Sequence, residues 1–270
     1  MINRGLLAML LVAFALITQS CRNKKEANSE MILKITNSEE FTSFVNDYNS
    51  GKFHINDTLI SPLIVTLDSD ISIINDHLSP IGSEEYPFIG TFNGNGHTIT
   101  CCGIGKTENA DNVGLFGYAK NSTIKSVTIV TEQVTGQRNV GIICGYAYRT
   151  FISDCKVSGN VNGDSYVGGV VGCASYGGIA DCHFVGDVTA SGYVAGGIVG
   201  MLEFGGVVRS YAGGQVTGKY GIHPISGTDT EDVMVSECLD RMNVIIASQN
   251  NRKNKKEIAS DKLTRLLFQM

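Results

Sequence analysis

The chain has 270 residues, of which 43% are hydrophobic and 17% charged, and this balance excludes an intrinsically disordered protein. The formal net charge is −5, and basic residues are concentrated only from Arg252 to Lys256, which excludes nucleic acid as a partner. Thirty-two glycines against four prolines and no tryptophan predict many tight turns or close backbone contacts.

Residues 1–20 have the pattern of an export signal. Arg4 gives a short positive region, and an apolar stretch from Leu6 to Ile17 follows that is too short to span a bilayer comfortably. Cys21 comes directly after a small residue, which resembles a lipoprotein signal although Thr18 stands where leucine is usual. We therefore expect a lipid anchor on Cys21 in the bacterial outer membrane, with ordinary secretion as the alternative.

Two segments come before the repetitive part of the chain. Residues 21–30 are polar and charged, which predicts a flexible tether. Residues 31–105 are predicted to form an N-terminal cap and lead-in strands. Asn37 or Ser38 followed by acidic residues favours an N-capped short helix, which would cover one open end of a stacked fold.

A Gly-apolar-apolar-Gly phrase recurs through residues 106–246. Its copies are VGLFG (113–117), VGIICG (140–145), VGGVVG (167–172), AGGIVG (195–200) and the degenerate GIHPISG (221–227). The closing glycines are 28, 27, 28 and 27 residues apart, which is typical of a solenoid. Each repeat contains short runs of period-2 alternation and no helical period. We predict an all-β fold, a short parallel β-helix or β-solenoid of about five coils with Gly-rich repeats of about 27 residues, plus the cap with one short helix.

Alignment of the repeats predicts columns of stacked side chains. The first inward column consists of Ile124, Ile152, Ile179, Val208 and Val235. The second consists of Val127, Cys155, Cys182, Tyr211 and Cys238. An outward column consists of Ser126, Asp154, Asp181, Ser210 and Glu237. These columns would make neighbouring coils share one core.

The last segment, residues 247–270, is a basic C-terminal tail. It carries Leu263, Leu266, Leu267 and Phe268 at helix-compatible spacing. The pattern allows either a cap on the far end of the solenoid or a partly disordered tail.

The phrase VGGVVG followed by IADCHFVGDV resembles the GLUG motif of bacterial cell-surface proteins, and residues 80–99 resemble the lead-in of GLUG lipoproteins of Bacteroidota. The resemblance covers residues 31 to 245 and implies a β-helix-like repeat domain at a cell surface, with adhesion or matrix binding as the usual role. It implies no catalytic residues. The motif also occurs in large surface peptidases, but the metal-binding sequence HEXXH is missing from this chain.

Aromatic residues give the candidate binding sites. One predicted column consists of Tyr166, Tyr193 and Tyr220, and a second consists of Tyr148, Tyr176 and Phe204. Exposed aromatic faces with a polar group suit glycans and protein partners alike, whereas turn-stiffening stacks are the alternative interpretation.

Other constellations give weaker signals. Asp154 and Asp181 would lie about 5 Å apart, close enough for glycoside hydrolysis or calcium, but serine shares their column, which favours a solvated face. Seven cysteines follow Cys21, and we expect a reduced core ladder rather than disulfides. No metal-ligand spacing, catalytic set or cofactor motif is present in the sequence.

The sequence therefore favours a membrane-anchored surface lipoprotein that is not an enzyme and binds a glycan, matrix or protein ligand through one solenoid face. A carbohydrate-active β-helix enzyme is one alternative, and a structural component of a surface assembly is another. Length and sparse charge favour binding.

Overall fold

The structure is a computed structural model that describes residues 30–55, 58–59, 62–74, 77–105, 109–228 and 233–246. The signal segment, Cys21, nearly all of the tether and the tail 247–270 lie outside the described residues. The helix α1 spans Ser38–Asn49. The strands are β1 (Met31–Ile35), β2 (His54–Ile55), β3 (Thr58–Leu59), β4 (Leu63–Leu67), β5 (Ile71–Ile73), β6 (Thr91–Asn93), β7 (Thr98–Ile104), β8 (Phe116–Lys120), β9 (Thr123–Lys125), β10 (Thr128–Thr135), β11 (Arg138–Val140), β12 (Cys144–Tyr148), β13 (Phe151–Ser153), β14 (Lys156–Gly168), β15 (Val171–Ser175), β16 (Gly178–Ala180), β17 (His183–Gly196), β18 (Val199–Glu203), β19 (Gly205–Val208), β20 (Tyr211–Gly218), β21 (Tyr220–His223), β22 (Val233–Ser236) and β23 (Leu239–Ile246).

Three parallel sheets form the sides of a β-solenoid. Sheet 1 has the order β1-β4-β6-β9-β13-β16-β19-β22, and sheet 3 has the order β8-β12-β15-β18. Sheet 2 has the order β5-β7-β10-β14-β17-β20-β23, with β11 paired to β14 and β21 paired to β17. Strands β2 and β3 form a separate antiparallel pair. The predicted all-β, parallel solenoid with one short N-terminal helix is confirmed.

The predicted count of about five coils was wrong. Sheet 1 contains eight stacked strands, so the chain makes about seven turns. The additional turns come from the lead-in, where Phe92 of β6 stacks directly on Ile124 of β9. These turns lack the glycine phrase on which the sequence count was anchored, although their strands join the same sheets.

The core of sheet 1 is a column of apolar side chains, but its fourth member differs from the prediction. Ile179 pairs with Val207, and Val208 pairs with Ala180 instead. Two adjacent valines satisfy an alternating pattern equally well, and only burial separates them, since Val207 is fully buried.

The same one-residue error affected the two neighbouring columns. Tyr211 pairs with His183 in sheet 2. Ser210 therefore lies beside Cys182, in the place that was predicted for Tyr211. Arg209 consequently takes the place that the sequence alignment gave to Ser210 in the outward column. The described members of that column share a left-handed backbone; they are Ser126, Asp154, Asp181, Arg209 and Glu237.

The glycine phrase is required by the way successive turns touch. A Cβ atom added at Gly172 would lie 2.3 Å from the carbonyl carbon of Asn139 and 2.3 Å from the amide nitrogen of Val140. An added Cβ at Gly200 would lie 2.4 Å from the carbonyl carbon of Tyr166. Since both obstacles are backbone atoms that cannot rotate away, only glycine fits where the chain enters sheet 3.

The helix α1 belongs to the N-terminal end of the fold, as the sequence predicted. The side chain of Asn37 accepts a hydrogen bond from the amide of Glu40 (2.9 Å), which is a standard N-cap. The helix buries its apolar residues Phe41, Phe44 and Val45. Tyr48 is also buried and donates its hydroxyl proton to the carbonyl of Pro87 (2.9 Å), and burial raises the pKa of Tyr48 to about 12.

Candidate ligand-binding surfaces

The corner between sheet 3 and sheet 1 displays side chains in a regular column. Four successive turns place a non-glycine residue there with a left-handed backbone; these residues are Asn121, Arg149, Tyr176 and Phe204. Such a backbone costs about 1–2 kcal/mol for a non-glycine residue. Tyr176 is 51% exposed and Phe204 is 52% exposed, so this corner presents large aromatic groups to solvent.

The predicted group of Tyr148, Tyr176 and Phe204 forms a continuous surface, which we call the aromatic ridge. The rings of Tyr176 and Phe204 are stacked with centroids 5.0 Å apart and planes 11° apart. Tyr148 meets Tyr176 edge to face at 5.9 Å, although it lies one position earlier in its own turn. The guanidinium carbon of Arg149 lies 5.3 Å from the centroid of the Tyr148 ring, a cation–π contact that fixes this end of the ridge.

A column of sheet 1 with two glycines lies beside the ridge. Gly178 and Gly206 follow Tyr176 and Phe204 by two residues each, and they are directly paired in the sheet. Phe151 and Met234 occupy the same column on either side of the two glycines and are largely exposed. Sequence reasoning did not single out Phe151 or Met234, because each stands alone in its repeat and shows no aromatic recurrence.

The other predicted aromatic column forms only in part. Tyr193 and Tyr220 stack with centroids 5.6 Å apart and planes 21° apart, and both are more than half exposed. Tyr166 is not in this column, because Ser165 pairs with Tyr193. One residue, Asp164, fills a corner that the next turn fills with two, so a 27-residue spacing does not bring Tyr166 and Tyr193 into line.

An open groove on sheet 2 was missed by the sequence analysis. It has a volume of about 470 Å³, and Lys156, His183 and Tyr211 form one side of it. Val185 lies on the other side, and the rings of His183 and Tyr211 are 6.1 Å apart. Lys156, His183 and Tyr211 each follow a residue of the second inward column. A sequence alignment with the correct register would have placed these three residues side by side.

The stacked carboxylates are engaged within the protein. Arg209 donates two hydrogen bonds to Asp181 (2.8 and 2.7 Å), and Ser126 donates one to Asp154 (3.0 Å). The hydrogen bonds from Arg209 lower the pKa of the Asp181 carboxyl. A general acid for glycoside hydrolysis requires the opposite shift, so the state of Asp181 does not fit that role. Across the described part of the chain, no three His, Cys, Asp or Glu side chains are grouped suitably for a metal ion.

The seven cysteines among the described residues are free. Burial raises the pKa of the Cys173 thiol to about 12 and also raises that of Cys144. Cys155 and Cys182 stack in adjacent turns, and each thiol donates a hydrogen bond to the carbonyl two residues before it, Ser153 (3.1 Å) and Ala180 (3.2 Å). Protonated, buried thiols pack as small apolar groups and fit the core ladder expected from the sequence.

Cys21 and the apolar segment before it lie outside the described residues. Within the described residues, no helix combines the length and apolar character needed to cross a bilayer.

Comparison with known proteins identifies the class of repeat. The GLUG motif matches residues 163–189, which include the end of β14, all of β15 and β16 and the first half of β17. The chain is thus a parallel β-solenoid that carries the GLUG motif, as the sequence resemblance predicted.

Two known proteins share parts of these features. A stretch of 73 residues, 27% of this chain, is 38% identical to halomucin of Haloquadratum walsbyi, and the chain spans only 1% of that protein's length. A crystal structure of a candidate immunoglobulin A1 protease from Bacteroides ovatus resembles the fold with a TM-score of 0.54 and 17% identity. That likeness covers 82% of this chain and 80% of the other, and at this identity it demonstrates a common fold alone.

Proposed function

We propose that this chain is a non-enzymatic binding module of the bacterial cell surface. Its ligand, a surface glycan, a matrix component or a protein, is held across the aromatic ridge. The observation that carries this proposal is the geometry of Tyr176 and Phe204, which are stacked on each other but leave about half of their surface in water.

The ridge has the properties of a binding hot spot. Large aromatic groups contribute much of the energy of known interfaces because they bury a wide area with few rotatable bonds. Beside the ridge, the exposed side chains of Phe151 and Met234 lie over Gly178 and Gly206, where an added Cβ would meet them at 3.4 Å and 3.3 Å, so they extend the apolar surface that a ligand could cover. Solenoid cores do not need these rings, since the turns are held by the buried columns beneath them.

The chemistry of the charged groups supports binding rather than catalysis. The paired carboxylates that a hydrolase would use are neutralised or hydrogen-bonded by Arg209 and Ser126. The fold shared with the Bacteroides ovatus protein does not transfer an activity, because function depends on the site and not on the fold.

A glycan and matrix-protein array tests the proposal. The soluble fragment 31–270 is compared with a ridge variant, Tyr148→Ala, Tyr176→Ala and Phe204→Ala combined. We expect the ridge variant to bind its best ligand at least about tenfold more weakly, equivalent to about 1.4 kcal/mol or more. The matched control is Tyr193→Ala with Tyr220→Ala, which removes a stacked, exposed pair of the same kind elsewhere on the solenoid.

The control variant should bind as the unmodified fragment does. Equal binding by the ridge variant and the unmodified fragment would contradict the proposed site. Binding by no fragment to any array member would favour the structural role in a surface assembly.

The anchor is a separate part of the proposal. A lipid on Cys21 would hold the module at the outer membrane, and the apolar segment followed by Ser20 and Cys21 supports this. Metabolic labelling with an alkyne fatty acid should mark the unmodified protein and leave a Cys21→Ser variant unmarked. Accessibility to protease added to intact cells tests the surface location, and a fully protected protein would place the module on the periplasmic side.

A further inference from the structure

The last turn of the solenoid differs from all the turns before it. In the inward column of sheet 1, Ile124, Ile152, Ile179 and Val207 have at most 2% of their surface exposed. Val235 stacks on Val207 in the same column, yet it is 46% exposed. An apolar residue in a core position is therefore exposed to solvent at this end of the solenoid. We call this end, formed by β22 and β23, the open end.

The open end also leaves strand edges available. Strand β22 pairs with β19, and β23 pairs with β20; within the described residues neither has a partner on its other side. Unpaired edges of parallel strands offer amide and carbonyl groups to any further chain. Natural proteins cover such edges, and at the opposite end the helix α1 packs Phe41, Phe44 and Tyr48 against the first turns.

The shape and charge of the open end indicate which chemical groups a segment that covers it must carry. A cavity of about 340 Å³ lies there, with Ile225, Val235 and Cys238 among its lining residues. Two carboxylates, Glu237 and Asp240, lie on the same cavity. A complementary segment must therefore bring apolar side chains for the cavity and cations for its margin.

We propose that the open end is covered by the chain's own C-terminal segment, residues 247–270, whose structure lies outside the described residues. The segment begins directly after β23 ends at Ile246, so it is covalently held beside the open end at high effective concentration. It contains the two chemical features that the cavity requires. Its cations are Arg252, Lys253, Lys255 and Lys256, and its apolar residues are Leu263, Leu266, Leu267 and Phe268.

The length of the segment permits this arrangement. Leu263 comes seventeen residues after Ile246, which allows an extended reach of about 55 Å. The eight residues of β23 span only about 26 Å, so the apolar residues can return across the whole open end. This proposal is independent of the ligand-binding role of the aromatic ridge.

Hydrogen exchange in the full-length protein, reconstituted into lipid nanodiscs, tests the proposal. The variant Leu266→Asp with Leu267→Asp places two charges on the apolar positions of the segment. The matched control, Thr264→Asp with Gln269→Asp, adds the same charge beside them. We expect amides of β22 and β23 to exchange at least about tenfold faster in the first variant and to be unchanged in the control.

Strand β13, in the middle of the solenoid, reports whether the fold is intact and should exchange equally in all three proteins. Equal exchange at β22 and β23 in the first variant and the unmodified protein would overturn the proposal. Protection that rises with protein concentration would also overturn it, because a second copy of the chain would then cover the open end.

Discussion

Two corners flank sheet 1. They share a left-handed backbone conformation but differ in the chemistry of their side chains. One carries Arg149, Tyr176 and Phe204, and the other carries Asp154, Asp181 and Arg209. Both corners hold non-glycine residues in the left-handed region, because the chain must turn sharply between two sheets in each coil. The backbone conformation therefore determines the positions of these side chains. It does not determine whether they are charged or aromatic.

The two corners differ in how far their side chains are paired or covered by other groups of the protein. At the charged corner, Arg209 occupies both oxygens of Asp181, so the polar groups find partners inside the protein. At the aromatic corner, stacking covers one face of each ring, and about half of the surface of Tyr176 and Phe204 remains in water. The charged corner therefore carries an ion pair between neighbouring coils, whereas the aromatic corner leaves apolar surface exposed to solvent.

We expect the largest effect from a substitution that disturbs the coil geometry on which both corners depend. Gly172→Ala should lower the free energy of unfolding by about 3 kcal/mol or more, since its Cβ would meet backbone atoms at 2.3 Å. Gly178→Ala is the matched control, because an added Cβ there meets only ordinary contacts of 3.4 Å or more. Chemical denaturation measures both, and a fully stable Gly172→Ala variant would refute the proposed contact between turns.

A smaller effect of opposite sign tests the cost of the left-handed corners. Val194 has φ of 56°, an unfavourable conformation for a β-branched residue, so Val194→Gly should raise the free energy of unfolding by about 1 kcal/mol. Val185→Gly, in an exposed and regular part of β17, should lower it by about 1 kcal/mol. If denaturation curves show the same sign for both substitutions, strain at the corners is not significant.

The smallest expected effect is the pH dependence of the charged corner. The pKa of Asp181 is lowered in the folded state, so its contribution is present above the unfolded pKa, about 4, and is lost as pH falls through the folded pKa. Asp181→Asn should therefore lower the Tm at neutral pH but not in strong acid. In an Arg209→Ala background the same substitution should have little effect at any pH. A Tm difference that persists in strong acid would assign the effect to packing instead.

The sequence was sufficient for those features that recur or that depend on local chemistry. The spaced glycine phrase predicted the parallel solenoid, and Asn37 with the acidic residues after it predicted the N-cap of α1. The sequence also grouped Tyr148, Tyr176 and Phe204 in one column; the three rings are in contact, but Tyr148 pairs with Ser175 and so lies one position outside that column.

The errors in register have one physical origin, whereas the coil count failed because the lead-in turns lack the glycine phrase. A solenoid tolerates an extra residue at a corner without disturbing the sheets, so spacing along the chain does not determine register. The additional residue opposite Asp164 moved Tyr166 away from Tyr193, and two adjacent valines concealed a shift in the next strand. The groove beside His183 depends on that register and could not be assembled without it.

We propose that a ligand covers the aromatic ridge. Hydroxyl-radical footprinting, with and without the strongest ligand from the array, measures the solvent accessibility of each aromatic side chain directly. We predict that the ligand protects Tyr176 and Phe204 and leaves Tyr193 and Tyr220 as reactive as before. Unchanged reactivity of Tyr176 and Phe204, with protection at another surface, would contradict the claim.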